Sequence, residues 1–358
     1  MLTFTHRTLG QRVLFGEGMA AEHLLAEVNR LGARSVMVIA DLPQQQRARG
    51  LADRVPRAVV YDRVRPHVPT ETADEARTTA RAHAIDLLVS VGGGSATGLA
   101  KAVALTEGIP IVAIPTTYAG SEATDVWGIT DNARKTTGVD DRVLPVSVIY
   151  DVELTYTLPV DLSVASGLNA LAHCIDSMWA PRTDPINQAI ATEGIRALTA
   201  GLPAVREDPQ HQGGREQTLY GAYLSAVAFA SAGSGMHHKI CHVLGGAYDL
   251  PHAQTHAVVL PYVLAYLAPA APAALDRIAA ALGSQDAVSG LTALRDRLDA
   301  PRALKNHGFE ESAIEEAAQL ILPVIPESTP RPVTIDDLTQ LLRDAWAGST
   351  PTIGVNAP

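Results

Sequence analysis

The densest chemistry in the chain lies between Gly235 and His256, GMHHKICHVLGGAYDLPHAQTH. This stretch holds five of the twelve histidines: His237, His238, His242, His252 and His256. Imidazole exchanges a proton near neutral pH, and its neutral form binds metals. His238 and His242 are four residues apart, so on a helix they share one face. Gly245 and Gly246 are expected to close that helix, because glycine takes the left-handed turn that ends helices. Pro251 then starts a loop that carries His252 back toward the same place. Histidines at this density, beside glycines, read as a site built from imidazoles.

Asn169 and His173 are also four apart, on a predicted helix of their own. With His238 and His252 they bring three imidazoles and one amide that can converge. An imidazole cluster with a carboxylate makes a good divalent-metal site. An amide in the carboxylate's place leaves the ion's charge less neutralised, so the sequence offers most of a metal site without its anion. Cys174 and Cys241 each adjoin one of these histidines. Helix neighbours point about 100° apart, so adjacency sets up no thiol–imidazole pair, and both cysteines read as buried small hydrophobes.

A second kind of chemistry lies upstream. Gly92, Gly93, Gly94 and Ser95 join an apolar run, DLLVSV, to a helical stretch. Glycines let a backbone approach a phosphate, and free N–H groups at a helix start bind anions; a tight strand–helix turn is the other use of such a run. The order differs from the usual dinucleotide fingerprint, in which the acid that binds ribose follows the glycines. Here Asp41, at the end of SVMVIAD, precedes them. Thr116, Thr117 and Ser121 lie in PTTYAGSE after the next apolar run, where hydroxyls suit ribose or pyrophosphate or simply form a polar loop. Lys135, one of only four lysines, sits in the polar stretch ARKTTGVDD. It is a candidate cation for the cofactor or a solvated loop residue.

These groups need elements to hold them. Residues 1–18 read as an edge strand or two. Short apolar runs at Ser35–Asp41, Ala58–Asp62, Asp86–Val91 and Ile109–Thr117 alternate with helical stretches at Met19–Leu31, Gln44–Arg54 and Thr70–Ala84, the last with Thr70 as N-cap. That alternation predicts an α/β domain with a parallel sheet and helices on both faces. Beyond about residue 152 strand signals vanish and Ala-rich helical stretches follow. The expected organisation is a dinucleotide-binding α/β domain over 1–152 and an all-helical substrate or catalytic domain over 153–358, with a loose tail after Gly348.

Composition narrows the function. The 358 residues carry a net charge of −10 with no basic stripe, which argues against nucleic acid and anionic membranes as partners. No apolar run is long enough to span a bilayer. Two cysteines without a CxxC are most simply those of a cytoplasmic protein without disulfides.

GGGS, PTTYAGSE, GLNALAHCID and the H-x3-H…H stretch together resemble the iron-containing alcohol dehydrogenase family over nearly the whole chain. The resemblance implies a dehydroquinate synthase-like fold, a homodimer and a nicotinamide cofactor. It places the family's metal ligands, one Asp and three His, on Asn169, His173, His238 and His252; any bound ion would sit there. A further family histidine near the nicotinamide falls on His242, the ribose acid on Asp41 and the phosphate loop on Gly92–Ser95. Three departures stand out: Asn169 replaces the ligand Asp, Gly98 replaces the Asp of GGGSxxDxxK while Lys101 is kept, and PTTYAGSE replaces PTTAGTGSE. With GMHHKICH, these are similar to the maleylacetate reductase branch. That branch implies NADH- or NADPH-dependent reduction of the C=C bond of maleylacetate, a small dicarboxylate, to 3-oxoadipate in the breakdown of resorcinol-like rings, with no essential metal. Asp41 favours NADH, since a carboxylate bonds the 2′-OH and repels a 2′-phosphate. A metal-dependent alcohol dehydrogenase or aldehyde reductase is the alternative.

Overall fold

The computed structural model describes residues 2–131 and 134–351, and of Arg134 and Lys135 the backbone alone. The chain divides into two compact units, residues 9–158 and residues 1–8 with 159–358.

The first unit contains β1 (Arg12–Gly16), α1 (Ala20–Leu31), β2 (Val36–Ala40), α2 (Gln45–Ala52), β3 (Val59–Tyr61), α3 (Thr70–Ala82), β4 (Leu87–Gly92), α4 (Gly94–Glu107), β5 (Ile111–Pro115), β6 (Val126–Asp131), β7 (Arg134–Val139) and β8 (Ser147–Asp151). Six strands form a parallel sheet in the order β1-β8-β5-β4-β2-β3. Side chains alternate across a strand, so each central strand feeds two cores. Val36, Val38, Leu87 and Val89 enter one, with Leu24 and Val28 of α1 and Ala48 of α2. Met37, Ile39 and Leu88 enter the other, with Ala73 and Ala76 of α3 and Leu99 and Val103 of α4. Helices therefore cover both faces, as the alternation of elements predicts.

Two local expectations change, that of the Thr70 cap and that of the Lys135 loop. Thr70 is the first residue of α3, with Pro69 at the cap position, and its hydroxyl bonds the Thr130 carbonyl instead. The N-terminal stretch makes one edge strand, β1, within the expectation. Lys135 lies on a strand and not in a loop: β6 and β7 form an antiparallel hairpin in which Lys135 pairs with Thr130, and the Lys135 side chain lies outside the described residues.

The second unit is helical: α5 (Val160–Ser177), α6 (Pro185–Glu207), α7 (Gln212–Ala232), α8 (Met236–Tyr248), α9 (His252–Leu267), α10 (Pro272–Ala281), α11 (Ala287–Arg297), α12 (Ile314–Ile321) and α13 (Ile335–Ala347). Gly245 and Gly246 do not end α8. The helix runs through them and stops at Asp249, which itself takes the left-handed turn at φ 53°; aspartate tolerates that conformation better than most residues. His252 does not lie in a loop: a short connection, Asp249 to Pro251, leads directly into α9, and His252 is the first residue of that helix. His252 and His256 therefore stand one turn apart on the same helix. Of the tail, Ser349 is tied by its carbonyl to the Tyr262 hydroxyl at 2.7 Å, and residues 352–358 lie outside the described residues. Among the described residues no helix is long and apolar enough to cross a membrane.

Candidate functional site

The cofactor motifs of the first unit gather at the carboxyl ends of its central strands. The sheet order reverses between β2 and β4, since β3 lies beyond one and β5 beyond the other. Such a switch point opens a crevice where nucleotides bind in α/β sheets. Asp41 follows β2 and Gly92 ends β4. A Cβ on Gly92 would stand 3.3 Å from Asp41 Oδ2, and Gly92 has φ +147°, so both the conformation and the close approach call for glycine. Asp41 Oδ1 is buried without a partner, and burial pushes the carboxyl above its ordinary range. Gly93 caps α4, whose first turn contains Gly94 and Ser95. No side chain caps that turn, which leaves backbone N–H groups for an anion. The Thr117 hydroxyl lies 3.2 Å from where a Cβ on Gly93 would stand, and Thr116 N–H donates to the Gly92 carbonyl at 3.1 Å. Ser121 opens a short turn a few residues on. Asp41, the glycines, Thr116 and Thr117 thus meet at these strand ends, while Ser121 follows in the next turn and the Lys135 side chain lies outside the described residues.

The second unit assembles six imidazoles from α5, α8 and α9. His173 and His238 stack at 4.8 Å between ring centres, His238 lies 4.9 Å from His256, and His252 lies 4.4 Å from His256. His237 is 4.9 Å from His256, and His242 is 6.0 Å from His238. Phe229 of α7 walls one side, 4.8 Å from His173 and 4.5 Å from His238. The cluster has two layers. His173, His237, His238 and His256 are buried, whereas His242 and His252 are exposed. Burial, reinforced by neighbouring imidazoles, holds all four buried rings well below the usual histidine range, so they are neutral at pH 7.

Two residues organise this cluster: Asp176, outside the expected set, and His256, one of the five clustered histidines but with no role assigned to it. Asp176, fully buried on α5, accepts from His238 Nδ1 at 2.7 Å and from the backbone N–H groups of Gly235 at 2.9 Å, His237 at 3.3 Å and His238 at 3.4 Å. Burial raises the Asp176 carboxyl, while the His237 ring and these N–H groups pull it down. His256 stands at the hub, its Nδ1 2.9 Å from His237 Nε2. Its sequence signal was its place among the five histidines clustered between Gly235 and His256. Asp176 gives no such signal, because it acts from a different helix, 62 residues away.

The family's expected ion can be tested on these atoms. Asn169 Oδ1, His173 Nδ1 and His238 Nε2 are buried and unpartnered, but the set contains no carboxylate. Among the described residues, the one trio of histidine, cysteine or acidic ligand atoms lying within 4.8 Å of one another is His237, Cys241 and His256. His173, His238 and His252 are not gathered that closely. In the gathered trio, the facing nitrogens already bond each other, and His237 Nδ1 and His256 Nε2 lack the acceptors that metal-bound imidazoles usually find. Neither set fits a closed iron cage. Cys241 Sγ lies 3.7 Å from His237 Nε2, yet burial drives both thiols well up, so neither cysteine is a ready nucleophile.

Comparison with known proteins agrees with this architecture. Residues 10–152 match the model for iron-containing alcohol dehydrogenase, and residues 163–346 match that for the C-terminal part of the Fe-containing alcohol dehydrogenase family. A maleylacetate reductase from Burkholderia cepacia is 44% identical over 95% of this chain and 97% of its own length. The crystal structure of maleylacetate reductase from Agrobacterium tumefaciens superposes with a TM-score of 0.93 at 41% identity, covering 98% of this chain and 100% of that one. An iron-containing alcohol dehydrogenase from Corynebacterium glutamicum superposes with a TM-score of 0.95 at 56% identity, covering 97% of each chain. The chain belongs to the iron-containing alcohol dehydrogenase family and is an oxidoreductase.

Proposed function

We propose that the chain reduces the C=C bond of maleylacetate to 3-oxoadipate with NADH, without an essential metal. Asn169 carries this reading, because a neutral amide stands at a buried position where the family's metal sites have an anion. A carboxylate there would repel a dianionic substrate unless an ion shielded it. The chemistry is a conjugate reduction. Bound NADH would supply a hydride to the alkene carbon β to the ketone, and the displaced alkene π pair would leave an enolate on the ketone oxygen. A proton added to the α carbon would then complete the reduction. The growing negative charge needs hydrogen-bond donors aimed at it, which the Asn169 amide and any protonated imidazole supply. His242 and His252, the exposed layer, are the groups proposed to meet the substrate's carboxylates and to return the proton; His173 and His238 line the interior behind them. Asp41 at the ribose and Gly92–Ser95 at the phosphates are proposed to hold NADH, with the 2′-OH accepted by Asp41. A homodimer and a cytoplasmic place in aromatic-ring breakdown belong to the same proposal.

A metal-dependent alcohol or aldehyde reaction is the second reading, favoured by the unpartnered Asn169 Oδ1 and His238 Nε2. Steady-state assay of chelator-treated protein separates the two. Maleylacetate is expected to consume NADH at the untreated rate, and a panel of alcohols and aldehydes to turn over far more slowly. Activity lost on chelation and restored by ferrous or zinc ion would reverse the choice.

A further inference from the structure

The start of α8 has no cap of its own, since its N-cap residue, Gly235, has no side chain. The missing acceptor comes from α5. Asp176 Oδ2 takes the Gly235 N–H at 2.9 Å and Oδ1 the His237 N–H at 3.3 Å, in the manner of a capping carboxylate. A Cβ on Gly235 would lie 2.5 Å from Asp176 Oδ1, so the glycine is what lets the carboxylate in. The same Oδ2 accepts from His238 Nδ1 at 2.7 Å. A carboxylate that already receives backbone N–H groups from both sides is held as an acceptor, so the proton in the contact belongs to the imidazole.

We propose that Asp176 is a positioning residue that ties α8 to α5 and fixes neutral His238 with its proton on Nδ1, so that the unpartnered Nε2 is a lone pair. The tautomer assignment stands on the geometry alone; its effect on rate rests on the reaction proposed above. Neutral His238 is then an acceptor at Nε2. It donates a hydrogen bond to an enolate only after taking up a second proton, which leaves the Asn169 amide as the neutral donor on this side of the cluster. Because Asp176 sits on α5 with Asn169 and His173, one carboxylate sets the register of donor and acceptor together.

The experiment pairs nitrogen NMR of the full-length protein with kinetics of Asp176→Asn. The His238 signals are assigned by their loss in His238→Gln. The wild type is expected to show the Nδ1-protonated tautomer of His238. Asp176→Asn is expected to show mixed tautomers and a kcat for maleylacetate about 10- to 100-fold lower, as for other groups that orient a functional imidazole, with KM for NADH within about twofold. A wild-type His238 protonated on Nε2 would overturn the assignment, whether or not the variant folds. A variant that only melts earlier, with kcat and tautomer unchanged, would reduce Asp176 to a helix cap and overturn the positioning role. A wild type that fails to reduce maleylacetate but shows the Nδ1 tautomer would sink the reaction and leave the assignment standing.

Discussion

Asp41 shows how much one side chain decides. Its Oδ1 is buried without a partner, and burial raises its carboxyl, so a group that accepts two hydroxyl hydrogen bonds from a ribose relieves a standing cost. A 2′-phosphate would bring a second anion to the same place. Replacing Asp41 with Ser is expected to weaken kcat/KM for NADH about tenfold, roughly 1.4 kcal/mol, and to raise that for NADPH. Initial rates with each cofactor at saturating substrate check this, and an unchanged NADH-to-NADPH ratio would take Asp41 out of the ribose site. Asp41 and the glycines were legible in the sequence because each ends an apolar run, and ends of parallel strands are where such residues meet. Asn169, His173, His238 and His242 were legible from helical spacing. Asp176 was not: spacing reveals neighbours on one helix, and this carboxylate acts across two. His256 was visible as a histidine, but its place at the hub depends on α9 beginning at His252, which the sequence reading had assigned to a loop.

At the scale of elements, Lys101 shows a family motif residue working through position. It is buried on α4, and its ammonium donates to the Thr124 carbonyl at 2.8 Å, the Thr124 hydroxyl at 3.0 Å and the Val126 carbonyl at 2.8 Å. These bonds fasten the entry of β6 to the helix that carries the glycine loop. Burial pushes Lys101 down to about 7, with Glu122 and Asp125 opposing. Lys101→Met keeps most of the volume but leaves two backbone carbonyls without this donor. Urea unfolding is expected to show a loss of about 1–3 kcal/mol, and a midpoint equal to wild type would show that the bonds contribute nothing net. The hairpin that Lys101 anchors escaped the sequence reading for a physical reason. β6 and β7 lie outside the main sheet, and β6, VWGITD, is only half-buried, so neither an unbroken apolar run nor a clean alternation marked it. Gly245 and Gly246 misled in the opposite direction: tertiary packing outweighed a cost of about 1 kcal/mol per glycine and carried α8 through both. β2, β4 and β5 were read closely because both of their faces are buried and the runs are unbroken, whereas β8, equally buried, was not singled out.

For the molecule as a whole, the imidazole cluster is a liability in acid. His173, His237, His238 and His256 are held neutral in the folded chain by burial. In the unfolded chain each takes up a proton below about pH 6.5. The unfolded state therefore binds more protons as pH falls, and stability is fully present above the unfolded value and lost below it. Each histidine contributes a slope of up to about 1.4 kcal/mol per pH unit. Asp41, Asp176 and Glu122, whose carboxyls burial raises, act in the other direction, since the folded state gains protons there first. Four rings against three carboxyls leave a net loss. Thermal melts from pH 8 to pH 5 are expected to hold a steady midpoint down to about pH 6.5 and then fall steeply, with the fall reversing when pH is restored before unfolding. A midpoint that stays level to pH 5.5 would mean that the buried rings protonate in place, and the neutral interior behind His242 and His252 would have to be redrawn as a charged one.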